Sequence, residues 1–390
     1  MTDSVLRVPF FVAAMLLLAL IGGCRDKPAA PKQARETNNV HGRKEALRAA
    51  SENVHRTAKA DRFAPLLVNV PEDSAPPPEE PATFQTASIL SLPKGWQAPR
   101  QSRTTLVSFN TAPFPYHGKI ARTDQTFINV VENGRRGHRM PFNRVYWEDE
   151  TYSDPRVLLH IPRHFDVKKP GVIVLFFHGH GAMLERDVLR RQQVPRQISE
   201  SGVNAVLVAP QLAVDARDSS PGKFWEHGGV KRFLAEASQQ LAKVYNDPWS
   251  EAAFAKMPVV IVAYSGGYVP AACAIANGGL GKRLQGVVLL DALYGEFDKF
   301  TDWITTQRSG FFVSAYANST RTRNENFEKL LSELNVPVAN RLGKALSPGS
   351  VVFLSTDEET LHRDFVTKAW TNDPIEDVLR RMKTAERRSL

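Results

Sequence analysis

The stretch Val259-Val260-Ile261-Val262-Ala263-Tyr264-Ser265-Gly266-Gly267-Tyr268 opens as an unbroken apolar run rich in β-branched residues. A strand buried on both faces of a parallel sheet reads this way, because neither face meets water. The run then turns through Ser265 into two glycines. Beyond Tyr268 come Ala271-Ala272-Cys273-Ala274, small residues suited to a closely packed helix. Strand, sharp turn at a serine, helix is the geometry of a nucleophile elbow, whose usual pattern is G-x-S-x-G. Here the pattern is Ala263-Tyr264-Ser265-Gly266-Gly267, with Ala in place of the first glycine. Small residues flank such a serine because its backbone is strained and the helix passes close to the strand. The turn lifts the hydroxyl off the C-terminal edge of the sheet. It also leaves the Gly266 N–H at a helix N-terminus, placed to donate to an oxyanion. A serine in this position can also be a turn or cap residue and nothing more. A histidine and a carboxylate in the right chain order separate the two readings.

The flanking sequence alternates strand and helix signals. Thr126–Val131 and Arg156–Ile161 read as early strands, and Val172–Phe177 as a fully buried one that ends in His178-Gly179-His180-Gly181. Leu184–Ser199 reads as a helix, Asn204–Ala209 as a strand stopped by Pro210, and Phe224–Tyr245 as a helix with Phe233, Ala237 and Leu241 on one face. After the serine, Gly286–Leu290 is a strand ending in Asp291. A helix is expected over Phe297–Thr306, a strand over Phe311–Tyr316, a helix over Glu325–Leu334 and a last strand over Val351–Leu354, with His362 just beyond it. Such alternation predicts right-handed crossovers and a mostly parallel sheet covered by helices on both faces.

Taken together, these residues resemble the α/β-hydrolase family from about Arg156 to the C-terminus. In that family the triad runs serine, acid, histidine along the chain, each at the end of a different strand. The matching order here is Ser265, Asp291, His362. The resemblance implies a base role for His362, which would take the serine proton and return it to the leaving group. For the acid, many members use the loop after the strand before the last. Here that loop, Ser314 to Thr320, holds no carboxylate. Asp291 stands at the family's alternative position, where it would hold the imidazole tautomer and stabilise the imidazolium. A cap on the following helix is the alternative, and the acid role is preferred because no other acid fits the order as well. Asp298, Asp302 and Glu325 fit the order less well, and Asp357 and Glu358 are too near His362 in sequence to orient it. His178-Gly179-His180-Gly181 resembles the family's oxyanion loop. The backbone N–H of His180 or Gly181 would join that of Gly266 around the oxyanion, with His178 holding the loop. A His-x-His pair also suggests metal, but the pattern H-x-H-x-D-H fails at Ala182 and Met183, so neither metal nor cofactor is expected. Tyr264 and Tyr268 flank the serine as pocket or core residues, and Cys273 reads as a small buried side chain.

Composition sets the outer limits. The 390 residues, 42% hydrophobic and 23% charged, suffice for one large domain plus extra segments. The net charge is +9, yet no compact Lys/Arg patch interleaved with aromatics stands out. A nucleic-acid partner is therefore not expected, and a basic surface facing anionic lipid or envelope polymer is preferred. Two cysteines, Cys24 and Cys273, cannot build a disulfide framework or a zinc site. Residues 1–23 read as an export signal: Arg7, then the apolar run Val8–Ile21, too short for a comfortable transmembrane helix. The run ends in Ile21-Gly22-Gly23-Cys24, which resembles a bacterial lipobox whose cysteine becomes a lipidated N-terminus. An uncleaved anchor and an ordinary cleaved signal are the alternatives. Arg25 after the cysteine lacks the common inner-membrane retention signal of Gram-negative lipoproteins, which implies the periplasmic face of the outer membrane. Residues 24–103, with Pro76-Pro77-Pro78 and Pro81, read as a flexible tether, in which Arg43–Lys59 could form a helix. Residues 104–390 are the globular domain. The segment between Asp291 and Phe311 is too short for a large cap, so any lid must come from Gln211–Gly229 or the early strands. The expected protein is an envelope-tethered serine hydrolase acting on an acyl substrate, an ester first and a peptide or amide second. A non-catalytic lipoprotein using the same fold for binding is the rival from another class. Oligomeric state is not assigned.

Overall fold

The structure is a computed structural model in which residues 101–357 and 359–386 are described. The export segment, Cys24 and nearly all of the tether lie outside the described residues, as does Glu358.

The strands in chain order are β1 Arg103–Ser108, β2 Val130–Glu132, β3 Arg135–Arg139, β4 Val145–Trp147, β5 Arg156–Ile161 and β6 Val172–Phe177, then β7 Ala205–Pro210, β8 Val259–Tyr264, β9 Leu284–Leu290, β10 Phe311–Tyr316 and β11 Val351–Ser355. Eight of them form one sheet in the order β1-β5-β7-β6-β8-β9-β10-β11. The pairs β1–β5 and β5–β7 are antiparallel, and every other pair is parallel. This is the mostly parallel α/β sheet of the expected fold class.

Period-two geometry sends successive side chains to opposite faces, so an apolar run feeds two cores at once. In β6, Ile173, Leu175 and Phe177 enter one core while Val172, Val174 and Phe176 enter the other. Over the first face lie the helices Gly229–Tyr245, Tyr268–Asn277, Phe297–Thr306 and Arg321–Glu333. Each presents an apolar stripe, such as Phe233, Ala237 and Leu241. The second face is covered by Val194–Glu200 and Pro374–Glu386, through Val194, Ile198, Ile375, Val378 and Leu379.

Several elements depart from expectation. The helix expected over Leu184–Ser199 is broken into a π-helical segment, Leu184–Arg191, and the helix Val194–Glu200. Gln193 sits between them at φ 50°, in the left-handed region, and Pro195 opens the second helix. No helix continues through a left-handed residue, and proline has no N–H to give the turn before it. The helix expected from Phe224 begins at Gly229, after a 3₁₀ turn over Gly222–Trp225. The helix expected from Glu325 begins at Arg321. Of Thr126–Val131 only the last two residues enter a strand, β2, and that strand belongs to a separate three-stranded antiparallel sheet, β2-β3-β4. Short, polar strands such as Arg135–Arg139 give little apolar periodicity to read.

Tyr146 of this small sheet joins Phe114, Tyr116, Phe127 and Tyr152 from the flanking segments in a satellite core. It packs on the loop after β7 through Ala213, Ala216 and Trp225. Two tyrosine hydroxyls tie the units together. Tyr146 accepts from the Arg217 N–H at 3.0 Å, and Tyr152 donates to Asp218 at 2.8 Å.

Candidate active site

Ser265 lies at the tip of β8, buried, with φ 52°. That left-handed backbone is costly for a residue with a Cβ and is held by the strand before it and the 3₁₀ turn Ser265–Gly267 after it. The glycines around it are demanded by contact. A Cβ on Gly266 would come within 2.4 Å of the His180 ring and 2.9 Å of Ser219 Oγ. One on Gly179 would lie 2.8 Å from Ser265 Cβ.

The structure brings Ser265, Asp291 and His362 together from the ends of three strands. His362 Nε2 is 2.8 Å from Ser265 Oγ, and His362 Nδ1 is 2.5 Å from Asp291 Oδ2. Because Asp291 accepts at Nδ1, that nitrogen carries the proton and Nε2 is left to accept from the serine. Asp291 is fully buried, with φ 44°, and its N–H donates to the Ala315 carbonyl at 2.8 Å. Burial alone would push its pKa up. Hydrogen bonds from His362, Ser319 and Thr320 outweigh that and hold the carboxyl below its ordinary range. The Thr320 hydroxyl donates to Oδ1 at 2.5 Å and Ser319 donates to Oδ2. The loop after β10 thus supplies no acid, as its sequence shows, but supplies both hydroxyls that keep Asp291 ionised. The signal for them, a Ser-Thr pair in a loop, is too common to have been singled out.

His362 is further held by the tyrosine preceding Ser265. Tyr264 stacks on its ring at 5.2 Å between centroids and donates to its carbonyl at 3.1 Å. Tyr294 meets the same ring edge-on at 6.4 Å, and Tyr268 lies 5.9 Å from Tyr294. Tyr264 is therefore part of the histidine's support, while Tyr268 and Tyr294 form an aromatic wall beside it.

At the oxyanion side, Gly266 N–H lies in the first turn after the strand, where no intrahelical acceptor is available. Of the two expected donors, His180 and Gly181, only the Gly181 N–H is already engaged. It donates to the Ala216 carbonyl at 2.9 Å and is committed to holding the loop. Among the described residues no hydrogen bond engages the His180 N–H. The His180 ring, unanticipated as a neighbour, lies over Gly266 and bonds Ser219 Oγ at 2.7 Å through Nε2. Ser219 follows Asp218, the residue gripped by Tyr152 of the satellite core, so that core positions this wall of the site.

His178 keeps the loop in place. Its Nδ1 donates to the Gly179 carbonyl at 2.8 Å, and its Nε2 accepts from the Leu212 N–H at 2.9 Å and from Gln211 at 3.0 Å. With both nitrogens engaged it is not a free ligand for metal. Burial lowers its pKa to about 4, so it is neutral at ordinary pH. Asp298 lies 3.8 Å from Arg122 and is not part of the triad constellation. Cys273 is buried, and burial pushes its thiol up to about 11, which suits packing rather than attack.

No family model matches the chain, and no curated protein matches it. Among solved structures it is similar to an S-formylglutathione hydrolase from Agrobacterium tumefaciens, at 11% identity and a TM-score of 0.38, over 65% of this chain and 98% of that one. It is also similar to a feruloyl esterase module from Clostridium thermocellum, at 14% identity and a TM-score of 0.39, over 68% and 95%. An esterase from Thermogutta terrifontis matches at 11% identity and a TM-score of 0.35, over 60% and 87%. Likeness at this level leaves the chemistry to the side chains of this protein.

Proposed function

We propose that this protein is a serine hydrolase that cleaves esters through an acyl-enzyme. The observation that carries the reading is the unbroken chain of contacts Ser265 Oγ to His362 Nε2 to Nδ1 to Asp291, at 2.8 and 2.5 Å. His362 takes the Ser265 proton as Oγ attacks the acyl carbon. The oxyanion that forms is met by the N–H groups of Gly266 and His180. The imidazolium, stabilised by ionised Asp291, then gives its proton to the departing alkoxide. Water enters by the same route, with His362 again as base, and releases the acid. The His362 side chain, 38% exposed, stands at the solvent-facing side of the triad, so water reaches the acyl-enzyme. Esters are favoured over amides because an alkoxide needs less protonation to leave.

Labelling of the purified protein with a fluorophosphonate probe tests the activated serine. Wild type should label within minutes, while Ser265→Ala should not label and His362→Ala should label at least about a hundredfold more slowly. A folded wild type that does not label, and does not hydrolyse short-chain nitrophenyl esters, would overturn the reading in favour of a binding role. The apolar run Val8–Ile21 and the motif before Cys24 support a lipid tether. Cys24→Ser should turn membrane association that resists high salt into association that high salt releases.

A further inference from the structure

The parallel strands of the sheet point the triad at one end of the domain, since Ser265, Asp291 and His362 all follow strand C-termini. The opposite end, roughly 20 Å away along a six-residue strand, gathers the connections that enter β6, β8, β9 and β10. It also holds the turn after β5 and the C-terminus of the helix Gly229–Tyr245, whose Val244 carbonyl accepts from Arg103 at the start of β1.

This end is basic. Arg163, Lys168, Lys243, Lys256, Lys282 and Arg308 are all exposed in these connections. Acids are also present there, several of them engaged. Asp166 lies 3.5 Å from Lys169, Glu200 clusters with Asp373 and Glu376 but meets Arg196 at 2.5 Å, and Asp247 caps the next turn, while Glu251, Asp302 and Glu333 are exposed. In that capped turn, Pro248–Ser250, the indole of Trp249 is 92% exposed. The Asp247 carboxylate accepts the Trp249 N–H at 3.0 Å, so the turn that presents the ring is ordered. A large aromatic held out into water gains nothing from the fold, whereas an indole flanked by cations suits the polar–apolar boundary of a bilayer. The chain also enters the domain here: Arg103 opens β1 at this end, and the polypeptide before it leads back to Cys24 and the apolar run.

We infer that this end is a docking face for an anionic lipid surface, with Trp249 entering the interface, the lysines and arginines meeting the headgroups, and the triad turned away from the membrane. The face does not depend on the hydrolase reading, and none of its residues touches the triad.

Co-sedimentation of the full chain carrying Cys24→Ser with vesicles of phosphatidylcholine, with and without phosphatidylglycerol, tests it. Binding should rise with phosphatidylglycerol and fall with salt. Lys256→Ala and Lys282→Ala should each weaken it about fivefold, the effect of about 1 kcal/mol per cation near a charged surface. Trp249→Ala should weaken it on both compositions. Acyl-brominated phosphatidylglycerol should quench part of the tryptophan fluorescence, and that part should be missing in Trp249→Phe. Melting temperature and ester hydrolysis in solution, unchanged in these variants, show that the fold is intact. Binding indifferent to phosphatidylglycerol and to the lysines, or the same quenching in Trp249→Phe, would overturn the proposal. Self-association abolished by Trp249→Ala would overturn it in favour of a second copy of the chain.

Discussion

Asp291 is held by three donors inside a fully buried site, and the consequences are specific to its charge. Asp291→Asn keeps the volume but replaces an acceptor with an NH₂ group facing His362 Nδ1. The ring then no longer presents an unprotonated Nε2 to Ser265. The expected result is a fall in kcat of about four orders of magnitude with KM little changed, read by steady-state ester hydrolysis. Because the folded pKa of Asp291 is depressed, its contribution to stability is present above the ordinary value of 3.8 and is lost as pH falls through the folded value. His178 has the same sign in a higher window. Its pKa is about 4 in the fold against an ordinary 6.5, so its contribution of roughly 3 kcal/mol is complete above pH 6.5 and disappears as pH falls through about 4. His160, buried between the hydroxyls of Thr104 and Ser199, also stands at about 4 and adds to the same loss. Denaturant unfolding across pH 7 to 4 should show this decline. His178→Asn should be less stable at pH 7 and decline less steeply, keeping the share due to His160.

At the scale of elements, the site is the meeting of three loops rather than one motif. The turn after β8 carries Ser265, the loop after β6 carries His180, and the loop after β7 carries Ser219 and is held by Tyr146 of the small sheet through the Arg217 N–H. Gly266 is the point where they touch. Gly266→Ala would drive a methyl group into the His180 ring. The ring and its backbone must withdraw, and on the proposed mechanism the His180 N–H moves with them. Ester hydrolysis should fall by about a hundredfold to a thousandfold, with the melting temperature shifted by only a few degrees. An unimpaired variant would show that His180 does not border the reacting carbonyl.

For the whole molecule, much of the packing lies away from Ser265, Asp291 and His362. The helix Arg321–Glu333 is fastened by Phe327, whose ring meets Phe297, Phe312 and Phe353 at 5.5 to 6.1 Å. Phe327→Ala should cost about 3 to 5 kcal/mol, measured by denaturant unfolding, because a buried cavity forms among rigid rings. At temperatures where the variant remains folded, fluorophosphonate labelling should proceed at close to the wild-type rate, since no triad residue touches Phe327.

The sequence by itself determined most of the large sheet, though not its edge strand β1 or the closing helix Pro374–Glu386, and it singled out Ser265, Asp291 and His362, which the structure brings into contact. Runs such as Val172–Phe177 and Phe311–Tyr316 are apolar without alternation, and only a strand covered on both faces satisfies that. Ser265, Asp291 and His362 were legible because each terminates or closely follows such a strand, so chain order alone carries them to one edge. What depended on backbone geometry at single residues was less legible. The break at Gln193 needs a left-handed φ that glutamine composition does not announce, and β2–β4 are too short and polar for periodicity to mark. The tertiary structure alone decided which groups meet across distant loops. It committed the Gly181 N–H to Ala216, placed the His180 ring against Ser219, and aimed Ser319 and Thr320 at Asp291. These are hydrogen bonds between residues whose separation in sequence carries no period. Their partners are chosen by where the packed strands and helices leave each loop, which no local pattern encodes.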